Sequence, residues 1–184
     1  MITDESIYQR YLDGEGNAAD LLVERYGDML TLYINGYIKD IHEAEDLMIE
    51  AFAQMFAKKR PISVGWCFKA YLYKTARNLS FRHCKKKRFP LLDHHQTEFE
   101  MSGVMSADAD ILRKEQNRQI IHALEQMKDE YREVLYLLYF ENMKYEEAGQ
   151  VMGKSVSQIT NLAHRAKKSM KKILEKEGFT YAHQ

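Results

Sequence analysis

Tyr145-Glu146-Glu147-Ala148-Gly149-Gln150-Val151-Met152-Gly153-Lys154-Ser155-Val156-Ser157-Gln158 is the stretch on which the reading of the fold turns. Tyr145, Ala148, Gly149 and Met152 fall three and four apart and line one face of a short helix. Gly149 lets a second helix approach closely, and Gly153 stands where a residue tolerant of positive φ is needed to stop the first helix and turn the chain. Ser155 opens the next helix. With Gln158 it matches a capping box, in which hydroxyl and side-chain amide each satisfy a backbone N–H left free at the helix start. Further on, Ile159, Ala163, Ala166, Met170 and Ile173 make an apolar stripe, while Gln158, Asn161, Arg165, Lys168 and Lys172 fall on the other side. This is the layout of a helix-turn-helix. Polar residues at the start of its second helix suit base edges in a major groove, and the basic residues behind them suit phosphates. Charge patterning alone would describe a solvated amphipathic helix equally well; the glycine, the cap and the two-helix spacing together favour DNA.

Outward from that stretch, helical periodicity covers nearly everything and no segment alternates like a strand. The pattern predicts helices from about Ala18 to Ile38 and from His42 to about Lys58, the second with Ala44, Leu47, Met48, Ala51, Phe52 and Met55 inward. Pro61 and Gly65 break the pattern. A third helix, from near Trp66 to Lys87, buries Phe68, Leu72, Thr75, Ala76 and Leu79 and leaves Lys69, Tyr73, Lys74, Arg77 and Arg82 outside. Residues 91–107, with Pro90 before them and no clear period, read as a linker. A helix with Ile120, Ile121, Leu124 and Met127 inward follows, then one from about Asp129 with Tyr131, Val134, Leu135 and Leu138, before the helix-turn-helix. The expected fold is all-α: a helical domain over residues 1–90, an acidic flexible linker over 91–107, a four-helix domain with a helix-turn-helix over 108–177, and a tail over 178–184.

The 184 residues suffice for two modest cores. Cys67 and Cys84 have no metal-ligand spacing and are too few for a disulfide framework, which points to a reducing compartment. No apolar run reaches the length of a membrane span, and Met1-Ile2-Thr3-Asp4-Glu5 does not resemble a signal peptide, so the expected location is cytoplasmic, without membrane insertion.

The formal net charge of zero conceals segregation along the chain. Residues 1–56 hold 12 acidic and 3 basic side chains, residues 57–92 hold 11 basic and none acidic, and residues 93–112 hold five acids and no base. Residues 113–152 are mixed, and residues 153–184 return to 7 basic against 2 acidic. Two basic blocks separated by an acidic stretch suggest two nucleic-acid contacts on one molecule. Lys85-Lys86-Lys87-Arg88 also suits the negative end of a helix.

Taken together the residues resemble a family: the extracytoplasmic-function sigma factors of bacterial RNA polymerase, within the sigma-70 family. Asp46-Leu47-Met48-Ile49-Glu50-Ala51-Phe52 is similar to the family's Asp-Leu-x-Gln-Glu-x-Phe segment. Phe68 through Leu79, reading Phe-Lys-Ala-Tyr-Leu-Tyr-Lys-Thr-Ala-Arg-Asn-Leu, is similar to its Trp-Leu-x-x-Ile-Ala-Arg-Asn segment. Tyr145-Glu146-Glu147 and His164-Arg165-Ala166-Lys167 extend the resemblance into the second half. Ile49 replaces the usual Gln, Tyr71 the usual Trp, and Thr160-Asn161-Leu162 a frequent Lys-Ser-Arg, which moves weight onto Gln158, Asn161 and Arg165.

The resemblance implies a promoter-specificity subunit. Asp46, Leu47, Glu50 and Phe52 would bind core RNA polymerase, which brings its β′ and β subunits as partners. Lys69, Tyr71, Tyr73, Lys74, Arg77, Asn78, Arg82 and Lys85 would hold and open the minus-10 element, with the tyrosines as stacking surfaces. Ser155, Ser157, Gln158, Thr160, Asn161, Arg165 and Lys168 would meet the minus-35 element. Promoter DNA and an anti-sigma protein are the other implied partners. The main rival is a dimeric helix-turn-helix regulator that binds duplex DNA unaided. An enzyme finds no support: the sequence has no glycine-rich phosphate loop and no nucleophile motif, and Asp93-His94-His95, its closest approach to a metal cluster, has no third ligand at helical spacing. No metal and no cofactor are expected.

Overall fold

The computed structural model describes residues 3–59, 61, 62, 67–88, 120 and 122–176, and among them every regular element is helical. Helix α1, Asp4–Leu12, is opened by Thr3, whose hydroxyl accepts from the Ser6 N–H at 3.2 Å, with Asp4 and Glu5 in its first turn beside the positive end of the helix. Periodicity begins only at Ala18 and misses this element. Its nine residues carry one buried pair, Ile7 and Tyr8, which packs on its neighbours. Helix α2, Ala18–Ile38, ends at Lys39 in the left-handed conformation, and Asp40 then caps α3, Ile41–Lys58, by accepting from His42 N–H at 3.1 Å and Glu43 N–H at 3.2 Å. Helix α4 runs Phe68–Arg88.

Helix α2 packs against α1, α3 and α4. Its Leu22, Leu30, Tyr33 and Ile34 meet Ala44, Ala51, Phe52 and Met55 of α3 and Phe68, Leu72 and Ala76 of α4 in one apolar cluster. The expected inward sets hold, with Met48 and Thr75 only half-buried. Tyr73 corrects the reading: expected on the outer face of α4, it is fully buried, its ring centroid 5.1 Å from that of Tyr33. The reason is that α4 has a second inward face, covered by the C-terminal helices.

After a helical stretch over residues 122–125, helix α5, Asp129–Leu135, runs directly into a π-helical turn, Tyr136–Phe140. Helices α6, Tyr145–Met152, and α7, Val156–Lys176, follow. Helix α7 packs on α5 and α6, burying Ile159, Leu162, Ala163 and Ala166, while Met170 and Ile173 are half-buried. Tyr145, expected inward, lies exposed at the first position of α6, whose buried face is made by Ala148, Gly149, Val151 and Met152. The expected linker over 91–107, the residues just after it, Gly65, Ile121 and the tail over 178–184 lie outside the described residues.

Candidate nucleic-acid interface

The turn between α6 and α7 is built as its residues dictate. Gly153 has φ +67°, and the next N–H, of Lys154, donates to the Gly149 carbonyl at 2.9 Å. At Gly149 an added β-carbon would stand 2.6 Å from the Lys154 carbonyl oxygen and 3.7 Å from Ile159 Cγ1, so only hydrogen fits there. The capping box closes in both directions: Gln158 N–H donates to Ser155 Oγ at 3.2 Å, and Ser155 N–H donates to Gln158 Oε1 at 2.8 Å. Beyond it, Ser155, Ser157, Gln158, Thr160, Asn161, Arg165 and Lys168 are all exposed on one side of α7. The Thr160 hydroxyl donates to the Val156 carbonyl at 2.9 Å, and Arg165 Nε to the Asn161 carbonyl at 3.3 Å.

The residues singled out on α4 divide between two faces. On one, Tyr71, Asn78 and Arg82 line an open groove with Lys58 and Phe81. Lys85, a turn further on, is exposed. Lys58 Nζ donates to the Tyr71 hydroxyl at 2.9 Å and lies 5.4 Å from its ring centroid, so the half-buried tyrosine is held rather than loose. Lys58 escapes motif reading because it sits on α3; only folding brings it beside Tyr71.

The other face of α4 meets the C-terminal helices. Arg77 binds the Glu133 carboxylate of α5 through Nε at 2.7 Å and Nη2 at 3.3 Å, and the Tyr33 hydroxyl of α2 donates to the same carboxylate at 2.9 Å. Burial opposes the Arg77 charge, but the Glu133 carboxylate outweighs it and raises the guanidinium's pKa above its ordinary value. Lys69 Nζ lies 3.0 Å from Glu141 Oε2 and also donates to the Glu141 carbonyl. Lys74 Nζ donates to the Gln150 carbonyl of α6 at 2.8 Å. Glu133 and Glu141 are only 3% and 5% exposed. Tyr33, Tyr73 and Tyr136 are fully buried in the same junction, and the Tyr136 hydroxyl donates to the Met29 carbonyl at 3.2 Å. Lys69, Lys74 and Arg77 therefore do not project freely from α4, as the sequence pattern placed them; they engage the second half of the chain.

Helix α3 sorts its motif differently. Asp46 and Glu50 are exposed, and between them Ile49 is 61% exposed, with Ile41 also open to solvent. Leu47 and Phe52, expected to bind a partner, are buried in the core and form no part of that surface. Their place is corrected by the helical period, which turns them towards α2. Ile49, the departure from the motif, is the apolar centre of the exposed patch.

An exposed, capped helix after a glycine turn and a separate basic and aromatic groove define an all-helical protein with two distinct polar and basic faces. The family description "Sigma-70 region 2" matches residues 22–89 and "Sigma-70, region 4" matches residues 117–170. The RNA polymerase sigma-H factor of Pseudomonas aeruginosa is 25% identical over 181 residues, covering 94% of both chains. The ECF RNA polymerase sigma factor SigW of Bacillus subtilis is 25% identical over 171 residues, 88% of this chain and 91% of its own. Among solved structures, the sigma factor RpoE in complex with the anti-sigma factor NepR from Bartonella quintana superposes with a TM-score of 0.65 at 18% identity, over 86% of this chain and 98% of that one. CnrH in complex with the cytosolic domain of CnrY gives 0.64 at 19% identity, over 94% and 97%. The chain belongs to the sigma-70 family, among its extracytoplasmic-function members, and directs promoter-specific initiation of transcription by RNA polymerase. Among the described residues no helix is long and apolar enough to cross a membrane.

Proposed function

We infer that the three exposed surfaces divide the work of initiation. Helix α7 enters the major groove of the minus-35 element. Because Ser155 and Gln158 are engaged in the cap, Ser157, Asn161 and Arg165 are the residues best placed for base edges, and Lys168 for phosphate. The groove of α4 takes the minus-10 strand: Tyr71 offers a ring for an unpaired base, and Asn78, Arg82 and Lys85 follow the backbone. The patch of Asp46, Ile49 and Glu50 on α3 docks on the β′ subunit of core polymerase, whose contact surface it would match with charge around an apolar centre. The protein makes and breaks no covalent bonds; the polymerase does, and the cytoplasm, where polymerase works, is its location. An anti-sigma protein restrains it, a reading supported by the two similar structures, both solved with a bound partner.

The observation that carries this reading is the exposed polar and basic face of α7, set opposite a buried apolar stripe and fixed by the glycine turn and the capping box. Run-off transcription from a pool of genomic promoters, with bacterial core polymerase alone and with the protein added, tests it. New specific transcripts are expected, and Asp46→Lys with Glu50→Lys should reduce them at least tenfold while leaving the helical circular dichroism unchanged. Absence of new start sites, together with tight unaided binding to duplex DNA, would instead indicate a stand-alone regulator.

A further inference from the structure

An α-helix leaves N–H groups free at its start and carbonyls free at its end. At the adjoining ends of α3 and α4 these groups are met from α1. In the last turn of α3 the Phe56 carbonyl accepts from the Tyr11 hydroxyl at 3.0 Å, and the Met55 carbonyl from the Tyr8 hydroxyl at 3.4 Å. The N–H of Phe68, the first residue of α4, donates to Glu5 Oε1 at 3.2 Å. Helix α4 has no acidic residue in its own first turn, so the negative charge that suits its positive end comes from another helix.

The same two helix ends carry the mouth of the α4 groove. Lys58 is the last residue of α3, Tyr71 stands one turn into α4, and the Lys58 ammonium donates to the Tyr71 hydroxyl at 2.9 Å. The spacing of the ends therefore sets where the Tyr71 ring stands. Burial, and then the neighbouring phenols of Tyr11 and Tyr71, raise the Tyr8 pKa, which places the three rings in one neighbourhood.

We propose, resting on the reading of the α4 groove as the minus-10 site, that α1 is a positioning element for promoter opening: Glu5, Tyr8 and Tyr11 fix the end of α3 to the start of α4 and so hold Lys58 and Tyr71 where an unpaired base can stack.

Three observations separate this role from that of an apolar cover. Glu5, Tyr8 and Tyr11 recur every three residues, so one side of a nine-residue helix presents all three groups. Their contacts are directional and reach two different helices, which fixes the ends relative to each other rather than only shielding them. The rings reinforce the hydrogen bonds, with centroids 4.6 Å apart for Tyr11 and Phe56 and 5.4 Å for Tyr8 and Phe68. At its own start α1 is tied to α2, where Asp4 accepts from Arg25 and from the Tyr26 hydroxyl. None of Glu5, Tyr8 and Tyr11 lines the groove, so they act on DNA through Lys58 and Tyr71.

The test uses the full-length chain with core polymerase and a promoter taken from the run-off pool, carrying 2-aminopurine in its minus-10 element so that fluorescence follows unstacking. Glu5→Ala with Tyr11→Phe should slow opening at least fivefold, while binding to core polymerase and the helical circular dichroism stay at the parent's level. Glu5→Gln alone, which keeps an acceptor for the Phe68 N–H, should open at close to the parent's rate. Because α1 acts through Tyr71, the paired substitution should have less than a twofold further effect on a Tyr71→Ala chain, whereas a merely structural role would slow both backgrounds alike. An unchanged rate, or equal slowing in both backgrounds, overturns the proposal. If the paired variant loses its helical signal, Tyr11→Phe alone, which deletes one oxygen from a half-buried side chain, decides by the same comparison. Tyr71→Ala separates the two readings. No slowing by it refutes the groove as the minus-10 site and the positioning role with it, whereas slowing by Tyr71→Ala and none by the α1 variants refutes only the positioning role.

Discussion

A β-carbon built on Gly149 would lie 2.6 Å from the Lys154 carbonyl oxygen, a backbone atom that cannot swing aside as a side chain could. Alanine is intrinsically the better helix former by about 1 kcal/mol. The overlap outweighs that gain, because relieving it means opening the turn that orients α7. Gly149→Ala should therefore destabilise the protein by about 1–3 kcal/mol, the range for overpacking a close contact, read as a lowered urea midpoint. It should also weaken binding of duplex DNA, which an ordinary surface substitution on α6 would not do. Gly149 was readable in the sequence because the constraint is local: a glycine four residues before a helix-ending glycine marks where the chain, having turned, passes close to the helix it has just left. Glu133 was not. Its partners Tyr33 and Arg77 are 100 and 56 residues away, and nothing in the run Asp129-Glu130-Tyr131-Arg132-Glu133 separates it from the neighbouring acids except the face to which folding assigns it.

Among elements, α7 shows how far local chemistry carries. Its start, turn and two faces all follow from residues within one or two turns of each other, and the structure places them as the pattern requires. Ser155→Ala removes the hydroxyl that accepts from Gln158 N–H and should cost about 1 kcal/mol, whereas Ser155→Asp should keep most of it, since a carboxylate also caps and suits the positive helix end. Thermal unfolding of the two variants beside the parent measures the difference. Two other elements were not legible. Helix α1 is short, its apolar residues are few, and it is held by α2 and α4 rather than by its own propensity. The π-helical turn lies in Val134-Leu135-Tyr136-Leu137-Leu138-Tyr139-Phe140, an uninterrupted apolar run with no period from which a change in winding could be read. It is this turn that leads the chain to Glu141.

Across the whole molecule, the two halves suggested by charge segregation share one continuous apolar cluster, joined through Tyr33, Tyr73 and Tyr136. The sequence left their mutual placement open, because the residues that decide it were read as DNA contacts or as ordinary core. Burial, and then neighbouring carboxylates, raise these phenols above their usual 10.0: Tyr33 faces Glu133, Tyr37 and Arg77, while Tyr73 lies near Glu141, Tyr136 and Lys69. The sign follows from proton binding. Above pH 10 an unfolded chain releases phenolic protons that the packed junction retains, so the folded form is fully favoured below that pH and loses ground as pH rises beyond it. The junction thus has an optical signature. In an alkaline titration, Tyr33, Tyr73 and Tyr136 should release their phenolic protons later in the folded protein than in the unfolded chain, as a late step in phenolate absorbance. Whatever parts the halves should bring that release to lower pH, so the protein reports its own state in the near ultraviolet without any attached dye.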